Sequence, residues 1–208
     1  MSELRISSVR KPFDDSEVAR EAVRALTRAE AMGLLGKRET PDVLDLATIR
    51  RVARDISAAG IASGLVAELD ATKESEPRRL AAILRTASAA LDASPAPDHE
   101  WSRLLAIFGA EELGELVGVS SASVHRYAGG ARTTPDVVAA RLHFLALVVG
   151  ELIGAYNEIG IRRWFRRART ALDGRAPASV LEAGWDPEDS GPRMVRELAA
   201  ALLASPAT

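Results

Sequence analysis

The 208 residues carry 27 Lys plus Arg against 29 Asp plus Glu, a net charge of −2, with 47% hydrophobic residues, only 4% aromatic ones and no cysteine. That composition excludes disulfides, thiolate catalysis and cysteine zinc sites, and it supplies enough apolar mass for one large or two modest domains. It also lacks the basic footprint usual in nucleic-acid binders, so any such binding has to rest on a local patch.

Ala, Leu, Arg and Glu predominate, which favours helices over sheets and predicts an all-α fold. The first fifteen residues contain no apolar core of a signal peptide. In the N-terminal half, Val18, Ala22, Ala25, Leu26, Ala29 and Met32 form a helical stripe, capped by Asp14 or Asp15 and ended by Gly33 or Gly36. Thr40-Pro41 is expected to start a second helix, with Leu44, Leu46, Ile49, Val52, Ala53 and Ile56 inward and Gly60 closing it. Ile61 to Leu69 predicts a short third helix, and Ser75-Glu76-Pro77 opens a fourth bearing Leu80, Ile83, Leu84, Ala87 and Leu91. Arg50, Arg51 and Arg54 read either as a solvated helix face or as an auxiliary surface. The Ala93–His99 stretch, with two prolines, reads as a linker or sharp loop. Up to Pro97, fifteen Lys plus Arg balance fifteen Asp plus Glu, and beyond it twelve face fourteen, which is the whole deficit.

Glu111 to Gly130, EELGELVGVSSASVHRYAGG, has the shape of a helix-turn-helix. Leu113 and Val117 stand four apart on one face, with Gly114 between them where two helices can cross closely. Gly118 supplies the positive φ of a tight turn, Val119 is an apolar anchor, and Ser120 is a good N-cap. In the second helix Val124 and Tyr127 face the core, while Ser121, Ala122, His125 and Arg126 face out, as a helix entering a major groove requires. An ordinary helical hairpin has the same outline. The DNA-reading set is Ser121, Ser123, His125 and Arg126, with Arg132 in the following polar loop, and double-stranded operator DNA is the expected partner. Thr134-Pro135-Asp136 opens a long helix that is apolar over more than one stripe up to Ile153. It suits a central core helix or a dimer seam, and symmetric half-site reading favours the dimer. The longest apolar run, Leu142 to Tyr156, is interrupted or bounded by His143, Glu151 and Asn157 and falls short of a membrane span. A cytoplasmic protein with no membrane partner is expected.

Gly160 to Pro177 holds six arginines, one acid, Trp164 and Phe165. It reads as an amphipathic helix with solvated arginines, as phosphate contacts on DNA, or as a docking surface with an aromatic hot spot. Trp164, then Thr170-Ala171-Leu172-Asp173-Gly174-Arg175-Ala176-Pro177, then Val180-Leu181 and Gly184, followed by a closing helix from Pro192 to Leu203, resembles the toxin-binding domain of Xre/MbcA/ParS-type antitoxins. That family shows a Trp, an N-P-x-L-x-G-x-x-P-x-x-L-L run, a Gly and a final helix. Here Thr170-Ala171 stands for the Asn-Pro and Val180 for one Leu. The order of elements agrees too, and the resemblance spans roughly Trp101 to Leu203, leaving residues 1–95 unexplained.

The resemblance implies three regions: 1–95, helical and of unknown role; 98–158, a helix-turn-helix with the long helix; and 159–208, a toxin-binding domain. It implies an antitoxin that covers the cleft of a RES-domain, NAD-consuming toxin and represses its own operon, as a homodimer or larger hetero-oligomer. Trp164, Arg175, Glu182, Asp186, Glu188, Asp189 and Arg193 are then the toxin-facing candidates. An electropositive dinucleotide cleft suits acids on the antitoxin, although the same acids also serve as caps of the final helix. The competing expectation is a stand-alone helix-turn-helix regulator with an N-terminal sensor or assembly domain. Three scattered histidines, His99, His125 and His143, and the absence of a paired-carboxylate motif argue against an enzyme, and no cofactor or metal is expected.

Overall fold

Short apolar stripes separated by capping residues produce a chain of ten helices among the described residues, with one two-stranded ladder, so the fold is all-α. The structure, a computed structural model, describes residues 6–35, 42–182 and 184–204. It divides into two compact units, one of residues 1–30 and 34–94, the other of 31–33 and 95–208. Among the described residues no helix is long and apolar enough to cross a membrane.

In the first unit, Asp15 accepts from the backbone N–H groups of Glu17 and Val18 and starts α1, Ser16–Ala31. The expected helix start at Thr40-Pro41 and the alternative stop at Gly36 lie outside the described residues. The following residues are not helical. Val43–Leu44 (β2) pairs in parallel with Ser8–Val9 (β1), and α2 begins only at Leu46 and runs to Ala58. The cause is Asp45: extended at φ −146°, it caps the helix by accepting from Thr48 N, while Thr48 Oγ1 donates back to Val43 O. Leu44, placed on a helical stripe by spacing, is a buried strand residue. Gly60, at φ 81°, follows α2, and the third helix, α3, is Leu65–Asp70 rather than Ile61 to Leu69. Arg50 explains its own place on α2, since it donates to Leu69 O and pairs with Asp70 at 3.2 Å. It ties α2 to α3, whereas Arg54 stays exposed. The fourth helix, α4, Pro77–Asp92, packs against α3, and its Asp92 pairs with the buried Arg28 of α1.

The second unit is built on α5, Pro97–Val117, a helix interrupted at Gly109 (φ 77°, ψ 168°). Then come α6, Ser121–Ala128; α7, Asp136–Leu152; α8, Glu158–Arg166; a 3-10 turn, Thr170–Leu172; α9, Pro177–Val180; and α10, Ser190–Ala204. The core helix is α7: Leu142, Leu145, Ala146, Val148, Val149 and Leu152 are fully buried, and both α5 and α10 pack on it. Its apolar faces are therefore satisfied within the chain, and a dimer seam is not needed to explain them. The helix-turn-helix and C-terminal segments, expected as separate regions, share this one core.

One polar contact crosses that core. Glu100 of α5, fully buried, lies 2.6 Å from His143 Nδ1 of α7. Removing the imidazole leaves the carboxyl buried without it. We predict that His143→Ala lowers unfolding stability by about 3–5 kcal/mol, the range for a buried pair deprived of one partner. Urea titration followed by circular dichroism checks this, and a loss below about 1 kcal/mol would show that the contact is dispensable.

Candidate DNA-reading and partner-binding surfaces

The helix-turn-helix is assembled by small-residue contact and capping. The first helix ends at Val117, Gly118 turns at φ 78°, and Ser120 caps α6 by accepting from Ser123 N. Val124 and Tyr127 are buried, while Ser121, Ala122, His125 and Arg126 are exposed on one face. Ser123 is half-buried, and its hydroxyl bonds Ser120 Oγ at 3.0 Å and accepts from Arg126 Nη2 at 3.2 Å. Two of the predicted readers, Ser123 and Arg126, are thus bonded to each other inside the motif. Arg132 is exposed, its guanidinium over the Tyr127 ring at 5.6 Å. Tyr127 in turn stacks on Trp101 at 5.5 Å, and Trp101 Nε1 donates to Thr134 Oγ1. The loop after the second helix is thus held on an aromatic stack.

The Arg-rich segment divides by position. Arg162 Nη1 donates to Ile107 O at 2.5 Å, just before the Gly109 break in α5. Arg166 grips Glu112, just after the break, with two hydrogen bonds of 3.0 and 2.7 Å. Phe165 meets Phe108 edge-on at 5.1 Å between them. Helix α8 therefore splints the break, and the Glu112 carboxylate holds the Arg166 guanidinium above its ordinary pKa. Trp164 is 2% exposed and carries the Arg169 guanidinium on its ring. It anchors the segment and presents no surface to a partner. Arg163, Arg167 and Arg175 remain exposed.

The Leu172–Pro177 stretch forms a tight turn. Asp173 and Gly174 both have positive φ, Gly174 N donates to Arg169 O, Arg169 N donates to Arg175 O, and the buried Leu172 pins it. Pro177 then starts α9. Beyond it, Glu182, Asp186, Glu188 and Asp189 are exposed, but three of them also work locally. Asp189 accepts from Asp186 N, Asp186 accepts from Glu188 N, and Glu188 pairs with Arg193 at 2.7 Å. A cleft of about 550 Å³ opens nearby, with Phe108, Leu116 and Leu181 beneath and Glu111, Glu115 and Glu182 exposed at its edge.

Sequence reasoning passed over Trp185 and Arg141. Trp185 is 5% exposed in the middle of the acidic loop. Its Nε1 donates to Leu116 O at 2.8 Å, and its own carbonyl accepts from Arg141 Nε at 2.6 Å. Among the described residues no group of three or more His, Asp or Glu is placed to hold a metal ion. The chain matches no family model, no curated protein and no solved structure.

Gly114 also differs from expectation. Spacing suggested a position that accepts Ala but not a large residue. A Cβ built there lies 2.6 Å from Val119 O, a backbone atom of the turn that cannot swing away. We predict that Gly114→Ala already destabilises the unit by about 1–3 kcal/mol, and Gly114→Leu by more. Thermal melts check this, and an Ala variant as stable as the parent would contradict the geometry of the crossing.

Proposed function

We propose that the chain is a DNA-binding antitoxin: it represses its operon through α6 and neutralises a RES-type, NAD-consuming toxin through its C-terminal region. One observation carries the DNA half. Ser121, Ala122, His125 and Arg126 form an exposed face on an eight-residue helix whose opposite face, Val124 and Tyr127, is buried. With its side chains an α-helix is about 10–12 Å across, which fits a major groove about 12 Å wide. Arg126 is the base- or phosphate-contacting residue, with His125, Ser121 and Arg132 beside it. Binding is as a dimer, so that two such helices meet successive groove faces.

Support for the toxin half is weaker and chemical. Glu182, Asp186, Glu188 and Asp189 are exposed in one short stretch, and carboxylates suit a cleft built to hold dinucleotide phosphates. Arg175 and Arg193 flank the stretch, while Trp164 contributes by anchoring it. A second reading, a stand-alone regulator, is favoured by the separate N-terminal unit, which the antitoxin resemblance does not account for.

Arg126→Ala should weaken operator binding by about 1–3 kcal/mol and reduce the salt slope by about one, with the fold unchanged. Gel shifts over a salt series check it, and an unaltered slope and affinity would remove α6 as the reader. Double charge reversal, Glu182→Lys with Glu188→Lys, should abolish growth rescue when co-expressed with a neighbouring RES-type toxin while DNA binding persists. Rescue by the reversed protein, or the lack of any toxin gene beside this one, moves the function to the regulator reading.

A further inference from the structure

We infer that Trp185 and Arg141 are positioning residues for DNA recognition: from the C-terminal loop and α7 they hold the last turn before α6, so the acidic loop is mechanically part of the DNA reader. This rests on the DNA reading proposed above and deepens it.

The last four C=O groups of a helix have no partner inside it. At the end of α5 these belong to Gly114, Glu115, Leu116 and Val117. The turn itself answers two of them, since Val119 N donates to Gly114 O at 2.8 Å and Gly118 N to Glu115 O at 3.3 Å. The other two are answered from far along the chain. Trp185 Nε1 donates to Leu116 O at 2.8 Å, and Arg141 Nη1 donates to Val117 O at 3.3 Å. Arg141 closes the set by donating through Nε to Trp185 O at 2.6 Å, with its guanidinium over the indole at 5.7 Å. Phe144 of α7 meets that indole edge-on at 5.0 Å, so the ring is seated on the core helix. A Cβ on Gly118 would stand 3.0 Å from Arg141 Nη1, which puts the guanidinium directly against the turn.

Only Gly118, Val119 and Ser120 separate this carbonyl set from α6. A helix of eight residues is too short to hold itself in water, and its pose follows from what it is joined to and packed on. The buried Val124 and Tyr127 fix its depth; Trp185 and Arg141 fix the turn that aims it. The pose of the Trp185–Asp189 loop and DNA affinity are thereby linked quantities. Whatever unseats Trp185 weakens DNA binding by the factor with which bound DNA resists the unseating.

The test uses the full chain and two variants, Trp185→Phe, which keeps a ring against Phe144 and loses the N–H, and Arg141→Lys, which keeps the charge and loses the fork. Native-state hydrogen exchange is read without DNA. Amides of Val119–Ala128 should exchange roughly two- to tenfold faster, the worth of one hydrogen bond, while those in the middle of α7 and in α10 keep their parent rates. Operator affinity should also fall, in proportion to the loss of the binding-competent pose, with the salt slope unchanged, because no phosphate contact is lost. Unaltered exchange in α6, or an equal acceleration across α5, α7 and α10, overturns the inference and leaves Trp185 as core packing alone. Were α6 to loosen as expected while the parent chain bound no operator DNA, the DNA reading would fall, and the positioning role in recognition with it; operator binding by the parent with α6 unmoved overturns the positioning role only.

Discussion

A helix that stops leaves carbonyls to be answered, and residues 95–208 are arranged around two such stops in α5. At Gly109 the chain leaves helical conformation and Ile107 O is taken by Arg162 from α8. At Gly118 the chain turns toward α6, and Leu116 O and Val117 O are taken by Trp185 and Arg141. Each buried carbonyl left unanswered would cost about 1–3 kcal/mol. Long polar side chains reach these atoms from α7, α8 and the loop before α10. Edge-on ring contacts at the same two places, Phe165 with Phe108 and Trp185 with Phe144, add packing to the polar answer. The helix-turn-helix is thus held by elements that follow it in the chain.

That arrangement decides which parts could be read from the sequence. The helices α1, α4 and α7 follow from apolar periodicity, and the caps at Asp15 and Ser120 and the turn at Gly118 follow from residue chemistry alone. All of these are local. The missed features are not. The β1–β2 ladder joins residues 35 apart, and two residues per strand leave no alternation to detect. Gly109 breaks α5 at a point that no apolar spacing marks, and Arg162, Phe165 and Arg166 close over the break through contacts 54 or more residues apart. Trp185 reaches a carbonyl 69 residues back, from a loop whose acids draw attention to themselves. A lone Trp with no periodic neighbours gives no pattern, although its size is a reason to ask what it packs on.

The Arg-rich segment shows how a charge run misleads. Six arginines over Gly160–Pro177 read as a solvated helix face, a phosphate surface or a docking surface; Arg162 and Arg166 bind groups of α5 and Arg169 lies on Trp164, while the Arg163, Arg167 and Arg175 side chains stay exposed. The acids from Glu182 to Asp189 behave differently. Asp186 and Asp189 each accept from a backbone N–H of the loop before α10, yet all four acids remain exposed, so ordering that loop and presenting negative charge are compatible uses of the same groups.

Charge also bears on how the proposed DNA reading has to work. The face of α6 and its following loop offer Arg126, Arg132 and His125, with Asp136 at the start of α7 opposing them. Two fixed cations release few counterions, and the salt-dependent part of binding grows in step with the phosphates neutralised. On the proposed reading a single copy would then have little non-specific hold on DNA, in keeping with a net charge of −2. Affinity then has to come from repetition: two copies on half-sites about 34 Å apart double both the phosphate contacts and the base contacts. Because α7 buries its apolar stripes inside the chain, such pairing would have to use some other surface.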